Sequence, residues 1–238
     1  MKLFLIRYLK ITFLFLRLHK LFNLFSGFFS NAFYLTKFSQ WAEKNRKVQY
    51  NDFPSAWKYE KRYPMYEWVL NNENLLNAPV NYLEFGVAEG QSFKWFIQKN
   101  AHPESRFFGF DTFTGLPEDF GVYKKGMFNS NLAVPFIDDK RAAFYQGLFQ
   151  QTLPGFLAGF DNSKRKIVMM DADLFSATLY VLTSLSPYLK KGDIVFFDEF
   201  AVPTHEFKAY SEFIQSYYLQ MELIAAANNY YFAAFIVK

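Results

Sequence analysis

A chain of 238 residues, 51% hydrophobic and 20% charged, has ample material for a core, which excludes a disordered protein. Cysteine is absent, which excludes a disulfide framework, a thiolate zinc site and a thiol nucleophile, and fits a cytoplasmic setting. The net charge of +4 is unevenly spread: residues 1–50 hold nine Lys/Arg against one acid, and residues 51–238 hold seventeen against twenty-one, so the body is mildly acidic and nucleic acid is not expected as a partner.

Residues 1–30 are dense in Leu, Ile and Phe but broken by Lys2, Arg7, Lys10, Arg17 and Lys20. On one continuous helix these cations fall within an arc of about 140° and leave the other side apolar. The apolar runs are too short and too polar for a membrane span. A cleaved signal peptide is not expected either, because Arg7 and Lys10 interrupt the apolar region and no small-x-small site follows. The segment fits an interfacial helix making peripheral contact with the inner face of a membrane. It fits equally a homodimerisation arm or a helix covering the body. Residues 1–50 are therefore taken as a basic amphipathic helical extension and 51–238 as the folded domain.

Residues 38–77 read as helix in pieces, with Pro54 and Pro64 as punctuation. The apolar run Val80 to Phe85 then reads as a buried strand, and Ser92 to Lys99 as a helix after Gly86 and Gly90. Glycines on a strand-to-helix turn let the backbone approach a ligand closely, and the helix start offers unpaired N–H groups. Glu84 stands at the strand end, where open α/β sheets bind ligands. Glu84-x-Gly86-x-x-x-Gly90 is not the Gly-x-Gly-x-x-Gly spacing of nicotinamide enzymes. It resembles the first motif of class I S-adenosylmethionine-dependent methyltransferases, whose loop curls around the methionine part of the cofactor. An ordinary βα turn is the plainer alternative.

From Val80 onward strand and helix alternate, with strands expected at 80–86, 106–111, 143–149, 166–171 and 193–198. The best-marked helix is Leu174 to Leu189; His205 to Tyr218 and two strands near 221–226 and 230–237 close the chain. Repeated βα units predict one Rossmann-like α/β domain, with a seven-stranded, mainly parallel sheet and helices on both faces. Asp111 ends the second strand about 25 residues after the glycine loop begins, where a carboxylate accepts ribose hydroxyls or serves as a turn residue. Thr112 opens a loop, Thr112 to Pro117, placed to lie over the adenosine. Tyr123 to Pro135 reads as a lid or as a plain surface loop.

The more unusual pattern lies between Ile167 and Phe200. One apolar strand runs into Asp171-Ala-Asp173, and the next into Asp198-Glu199. Parallel strands end on the same edge, so the four carboxylates converge, and unpaired carboxylates so close cannot all stay ionised cheaply. A hard divalent cation such as Mg²⁺ resolves the conflict. Solvated turn acids are the alternative.

Asp171-Ala-Asp-Leu-Phe-Ser-Ala-Thr178 and Lys191-Gly-Asp-Ile-Val-Phe-Phe-Asp-Glu199 resemble the macrocin O-methyltransferase family, whose members methylate sugar hydroxyls. Phe110-Asp-Thr-Phe-Thr-Gly-Leu-Pro117 and Gly147-Leu-Phe-Gln-Gln-Thr-Leu-Pro154 agree, and the resemblance runs from about Arg62 to Lys208. It implies an S-adenosylmethionine-dependent O-methyltransferase with Mg²⁺ held by Asp171, Asp198 and Glu199, and Asp173 as general base. Glu199 departs from the Asp of many members. Glu84, Gly86, Gly90, Ser92, Asp111 and Thr112 are the implied cofactor residues. Arg62, Tyr63 and Tyr66 lie where related methyltransferases cap the cofactor, with surface helix as the alternative reading. His205 is read as structural, with contact to the acceptor as the alternative. A metal-independent methyltransferase and a membrane-docked binding protein without turnover are the rival functions.

Overall fold

The computed structural model describes residues 2–130 and 133–238. Its strands are β1 (Tyr50–Asn51), β2 (Val80–Phe85), β3 (Arg106–Asp111), β4 (Ala142–Gln146), β5 (Arg165–Met170), β6 (Ile194–Phe197), β7 (Met221–Ala227) and β8 (Phe232–Val237). They form one sheet in the order β1-β7-β8-β6-β5-β2-β3-β4. β8 runs antiparallel to both its neighbours, and the other pairings are parallel. The sheet thus has eight strands where seven were expected. The addition is β1, which pairs with β7 through Tyr50 and Asn51. Two residues are too short to leave an alternation in the sequence.

The central strands are apolar on both sides because helices cover both faces. Leu83, Phe85, Val168, Met170, Val195 and Phe197 pack with α6 (Phe149–Ala158), α7 (Phe175–Leu185) and α8 (Glu206–Tyr217). The alternate residues of the same strands, including Tyr82, Ile167, Met169 and Phe196, pack with α4 (Arg62–Asn72) and α5 (Gln91–Lys99). This is the period of two that a pleated strand imposes. Hydrogen bonding continues one step past the strand ends: Gly86 N–H donates to Phe110 O, Asp171 N–H to Phe85 O and Asp198 N–H to Met170 O, at 2.9, 2.9 and 3.0 Å. The turns after β2, β3, β5 and β6 are thereby held level along one edge of the sheet.

The extension departs from one continuous helix. It forms α1 (Lys2–Phe15), a short α2 (His19–Phe22) and α3 (Ser26–Lys44). Arg17 takes left-handed backbone (φ 50°), and Leu18 N–H reaches back to Phe13 O at 3.1 Å, the closure that ends many helices. Arg17 and Lys20 therefore do not share the helix of Lys2, Arg7 and Lys10. The far end of α3 packs on the body through Phe38, Trp41 and Ala42. Among the described residues no helix is long and apolar enough to cross a membrane. Of the Tyr123 to Pro135 segment, Asn131 and Leu132 lie outside the described residues.

Candidate active site

The level strand ends surround a cleft of about 650 Å³. Gly86, Asp111, Thr112, Asp171, Asp173, Asp198 and Glu199 all line it. It opens beside β2, where the strand order turns back on itself, the usual ligand position in open α/β sheets.

Gly86 has φ +92°, and a Cβ there would lie 1.8 Å from the Asp171 carbonyl oxygen. The missing side chain thus admits the neighbouring turn's backbone. Gly90, also left-handed, precedes α5, and a Cβ there would sit 3.1 Å from Pro135. Glu84 does not reach the cleft. Fully buried below the loop, it accepts a hydrogen bond from Ser92 Oγ at 2.6 Å and another from Tyr82 Oη. Burial pushes its carboxyl up to about 8, against the pull of those hydroxyls. Asp111 is likewise engaged with protein: Oδ2 accepts Val87 and Ala88 N–H at 2.7 and 2.8 Å, and Oδ1 accepts Phe113 N–H at 2.7 Å. It ties the glycine loop to the end of β3; Oδ2 has both lone pairs taken by those amides, and Oδ1 is the oxygen left with one for a ligand hydroxyl. Thr112 Oγ1 donates to Gly115 O at 3.0 Å and holds the following loop.

The acids meet as their strand order dictates, but they are not equivalent. Asp198 is paired with Arg62, whose Nη1 lies 3.2 Å from both its oxygens, and Tyr66 Oη donates to it at 2.9 Å. Arg62 is only 2% exposed and lies over the Tyr59 ring, 3.9 Å from the centroid, so α4 supplies an inward cation rather than a surface helix. Glu199 Oε1 accepts the Tyr231 hydroxyl at 2.7 Å, and its other oxygen is buried without a partner. A fifth carboxyl, Glu206, is fully buried; it accepts Glu199 N–H at 3.0 Å and leaves its second oxygen unpartnered. Burial and the neighbouring acids Glu199, Asp198 and Asp111 push Asp173 up to about 8. Glu199 rises to about 7 through burial, opposed by Tyr231 and reinforced by Asp198. Asp171 is raised by burial, then by Asp198 and Asp173.

The donor chemistry, carboxylate oxygens with a buried unpartnered Glu199 Oε2, suits a hard divalent cation. Against that, Arg62 already neutralises Asp198, and among the described residues no three His, Cys, Asp or Glu side chains form a metal-holding group. Asp173 stands at the cleft rim on left-handed backbone (φ 57°), which Asp tolerates better than most residues. His205 packs edge-on against Phe120, 4.7 Å between centroids, and does not line the cleft.

Arg62, Glu206 and Tyr231 are the site residues whose roles the sequence did not reveal. Arg62 and Glu206 fall in stretches already singled out, but nothing in spacing told that they turn inward. Tyr231 sits in the closing hairpin with no local signal at all.

The family model for macrocin O-methyltransferase (TylF) matches residues 60–232, which include every residue of this cleft bar Trp57 and Tyr59. The chain belongs to the macrocin O-methyltransferase family. The matched residues leave α1, α2 and α3 outside. Within this family level of likeness, the chain is 28% identical over 146 residues to 8-demethyl-8-(2,3-dimethoxy-alpha-L-rhamnosyl)-tetracenomycin-C 4'-O-methyltransferase from Streptomyces olivaceus. That stretch is 52% of this chain and 54% of the relative, so the chain spans about half the length of the curated relative it matches. Among solved structures, the calicheamicin methyltransferase CalS11 aligns over 75% of this chain and 77% of its own, with 23% identity and a TM-score of 0.56. The O-methyltransferase NovP aligns over 75% and 78%, with 21% identity and the same TM-score of 0.56. At that identity both likenesses speak for the fold.

Proposed function

We propose that this chain is an S-adenosylmethionine-dependent O-methyltransferase acting on a sugar hydroxyl of a glycoside, nucleotide-sugar or glycan. One observation carries the reading: the glycine loop after β2, Asp111 after β3 and the acids after β5 and β6 share a single cleft in a chain of this family. The Streptomyces olivaceus relative, named for methylating a rhamnosyl hydroxyl, supports a sugar as acceptor.

In this reading the donor is a sulfonium, and the acceptor oxygen must approach its methyl in line. Gly86, Asp111 and Thr112 hold the donor from the cleft wall, while Gly90 starts α5 and Glu84 with Ser92 braces the loop from beneath. A neutral hydroxyl is a poor nucleophile because its proton is tightly held. Asp173 takes that proton as methyl transfer proceeds. In the metal-free cleft, burial and the neighbouring acids make it a stronger proton acceptor than an ordinary carboxylate. Fixing the two partners collinear supplies most of the acceleration. Mg²⁺ would be held by Asp171, Asp198 and Glu199, and bound there it would stabilise developing charge on the acceptor oxygen as a Lewis acid.

A second, metal-independent reading draws on the Arg62–Asp198 pair, which leaves one of the three proposed ligands already neutralised. Transfer of a labelled methyl group to a panel of glycosides, with Mg²⁺ or with EDTA, separates the two. The Mg²⁺ reading expects EDTA to abolish turnover and Mg²⁺ to raise the melting temperature. Full turnover in EDTA leaves only the second reading, and no transfer to any sugar hydroxyl overturns both.

A further inference from the structure

We propose that α1 docks this protein on an anionic lipid surface. This inference is independent of the transferase reading, because it concerns the part of the chain outside the family match.

α1 segregates its charged side chains to one side. Phe4, Leu5, Tyr8, Ile11 and Phe15 fall within about 120° of its circumference; Lys2, Arg7 and Lys10 are confined to about 140° opposite, interleaved there with Leu3, Ile6, Phe13 and Leu14. None of the five apolar residues is covered: Phe4 is 74% exposed and Phe15 83%. Left in water, so many large side chains on one stripe carry a heavy hydrophobic penalty. The same uncovered character continues in Phe28 and Phe29 of α3.

Charge selects the occupant. The cations Lys2, Arg7, Lys10, Arg17 and Lys20 are exposed, none forms an ion pair among the described residues, and no acid precedes Glu43. Packing α1 against α1 of a second copy would bury the apolar stripe but add three more cations, with no acid on either helix to answer them. Anionic headgroups answer all of them at once. The apolar stripe enters the acyl boundary while the long Lys and Arg stems reach back to the phosphates. Spanning is not an option, since no described helix is long and apolar enough to cross.

The docked arm is also firmly tied to the body. Trp41 of α3 packs at a tilt against Phe200, 4.8 Å between centroids, and Phe38 edge-on against Phe207 at 5.1 Å. Tyr34 adds a hydrogen bond to Glu212 at 2.5 Å. Phe200 directly follows Glu199, so the anchor grips the chain next to the acidic turn of the cleft.

The test is co-sedimentation of the full chain with vesicles of phosphatidylcholine alone or phosphatidylcholine mixed with phosphatidylglycerol. The protein should partition onto the mixed vesicles and come off in high salt. Replacing Lys2, Arg7 and Lys10 together by Gln should weaken that partitioning on the order of 100-fold. Replacing Phe4, Tyr8 and Phe15 together by Ser should abolish it, with the melting temperature of the body unmoved in both variants. Equal binding to the two vesicle types overturns the proposal, as does absence of binding to either. A concentration-dependent dimer in analytical ultracentrifugation that the Ser variant dissociates, with vesicles leaving the protein in solution, overturns it in favour of a second copy.

Discussion

Gly86 and Asp173 show how closely the cleft depends on single backbone positions. At Gly86 a methyl group has no room, because the Asp171 carbonyl oxygen would lie 1.8 Å from it and the left-handed φ adds strain. Gly86→Ala should lower stability by at least ~2 kcal/mol in urea unfolding; an unchanged midpoint would mean the two turns are not packed as described. Asp173 presents a different dependence, since Asn keeps the shape and removes the base. Asp173→Asn should cut turnover by roughly 10²–10⁴ while calorimetric affinity for the cofactor stays nearly constant. Full turnover in that variant would remove the base assignment. At this scale the acids were legible, because each follows an apolar strand that delivers it to a common edge. Arg62 was not: its partner Asp198 is 136 positions away, and only the packing of α4 on the sheet brings them together.

Among the elements, β5 and β6 are bound at both ends by charge. At the cleft end they carry the acids; at the other end Lys166, fully buried, lies 3.0 Å from Asp193 Oδ2. Asp193 also accepts the Lys166 and Lys190 N–H groups at 2.8 and 2.7 Å, so it closes the start of β6 onto β5. Asp193→Ala leaves a buried ammonium without its counter-charge, with the neutral Asn162 Oδ1 at 2.7 Å as its remaining partner, and should cost about 3–5 kcal/mol, measured by denaturant unfolding. A loss under ~1 kcal/mol would show that Lys166 finds water or another partner. The expected strand and helix bounds agree with these elements to within a few residues, because both-face burial writes unbroken apolar runs. Two features escaped. β1 has only two residues, and the break after α1 rests on one left-handed residue, Arg17, which no apolar period announces.

For the molecule as a whole, burying acids together sets how stability depends on pH. Glu84 and Asp173 are pushed up to about 8 and Glu199 to about 7, each chiefly by burial, and Asp171, Asp198 and Glu206 are raised as well. In the unfolded chain these groups lose their protons near their ordinary values of 3.8 and 4.5. Between those values and the folded ones the native state holds more protons, so stability falls as pH rises. Asp139 and Asp161, held down by Arg141 and Ser163, complete their contribution at lower pH and are constant across that window. His205, lowered by burial, acts in the opposite sense only up to its ordinary 6.5. The melting temperature of the metal-free, cofactor-free protein should therefore fall between about pH 5 and about pH 8. A scanning-calorimetry profile that rises across this range would show that the acids are not buried together.

The sequence by itself determined the βα alternation, the largely parallel sheet and the common edge on which Asp111, Asp171, Asp173, Asp198 and Glu199 stand. That follows because parallel strands of matched register deliver their last residues to one side. Tertiary structure decided which of those charges are already answered: Asp111 by loop amides, Asp198 by Arg62, Glu199 in part by Tyr231. Such partners come from helices and hairpins distant in the chain, and their reach depends on how each packs against the sheet, which no local pattern of residues encodes.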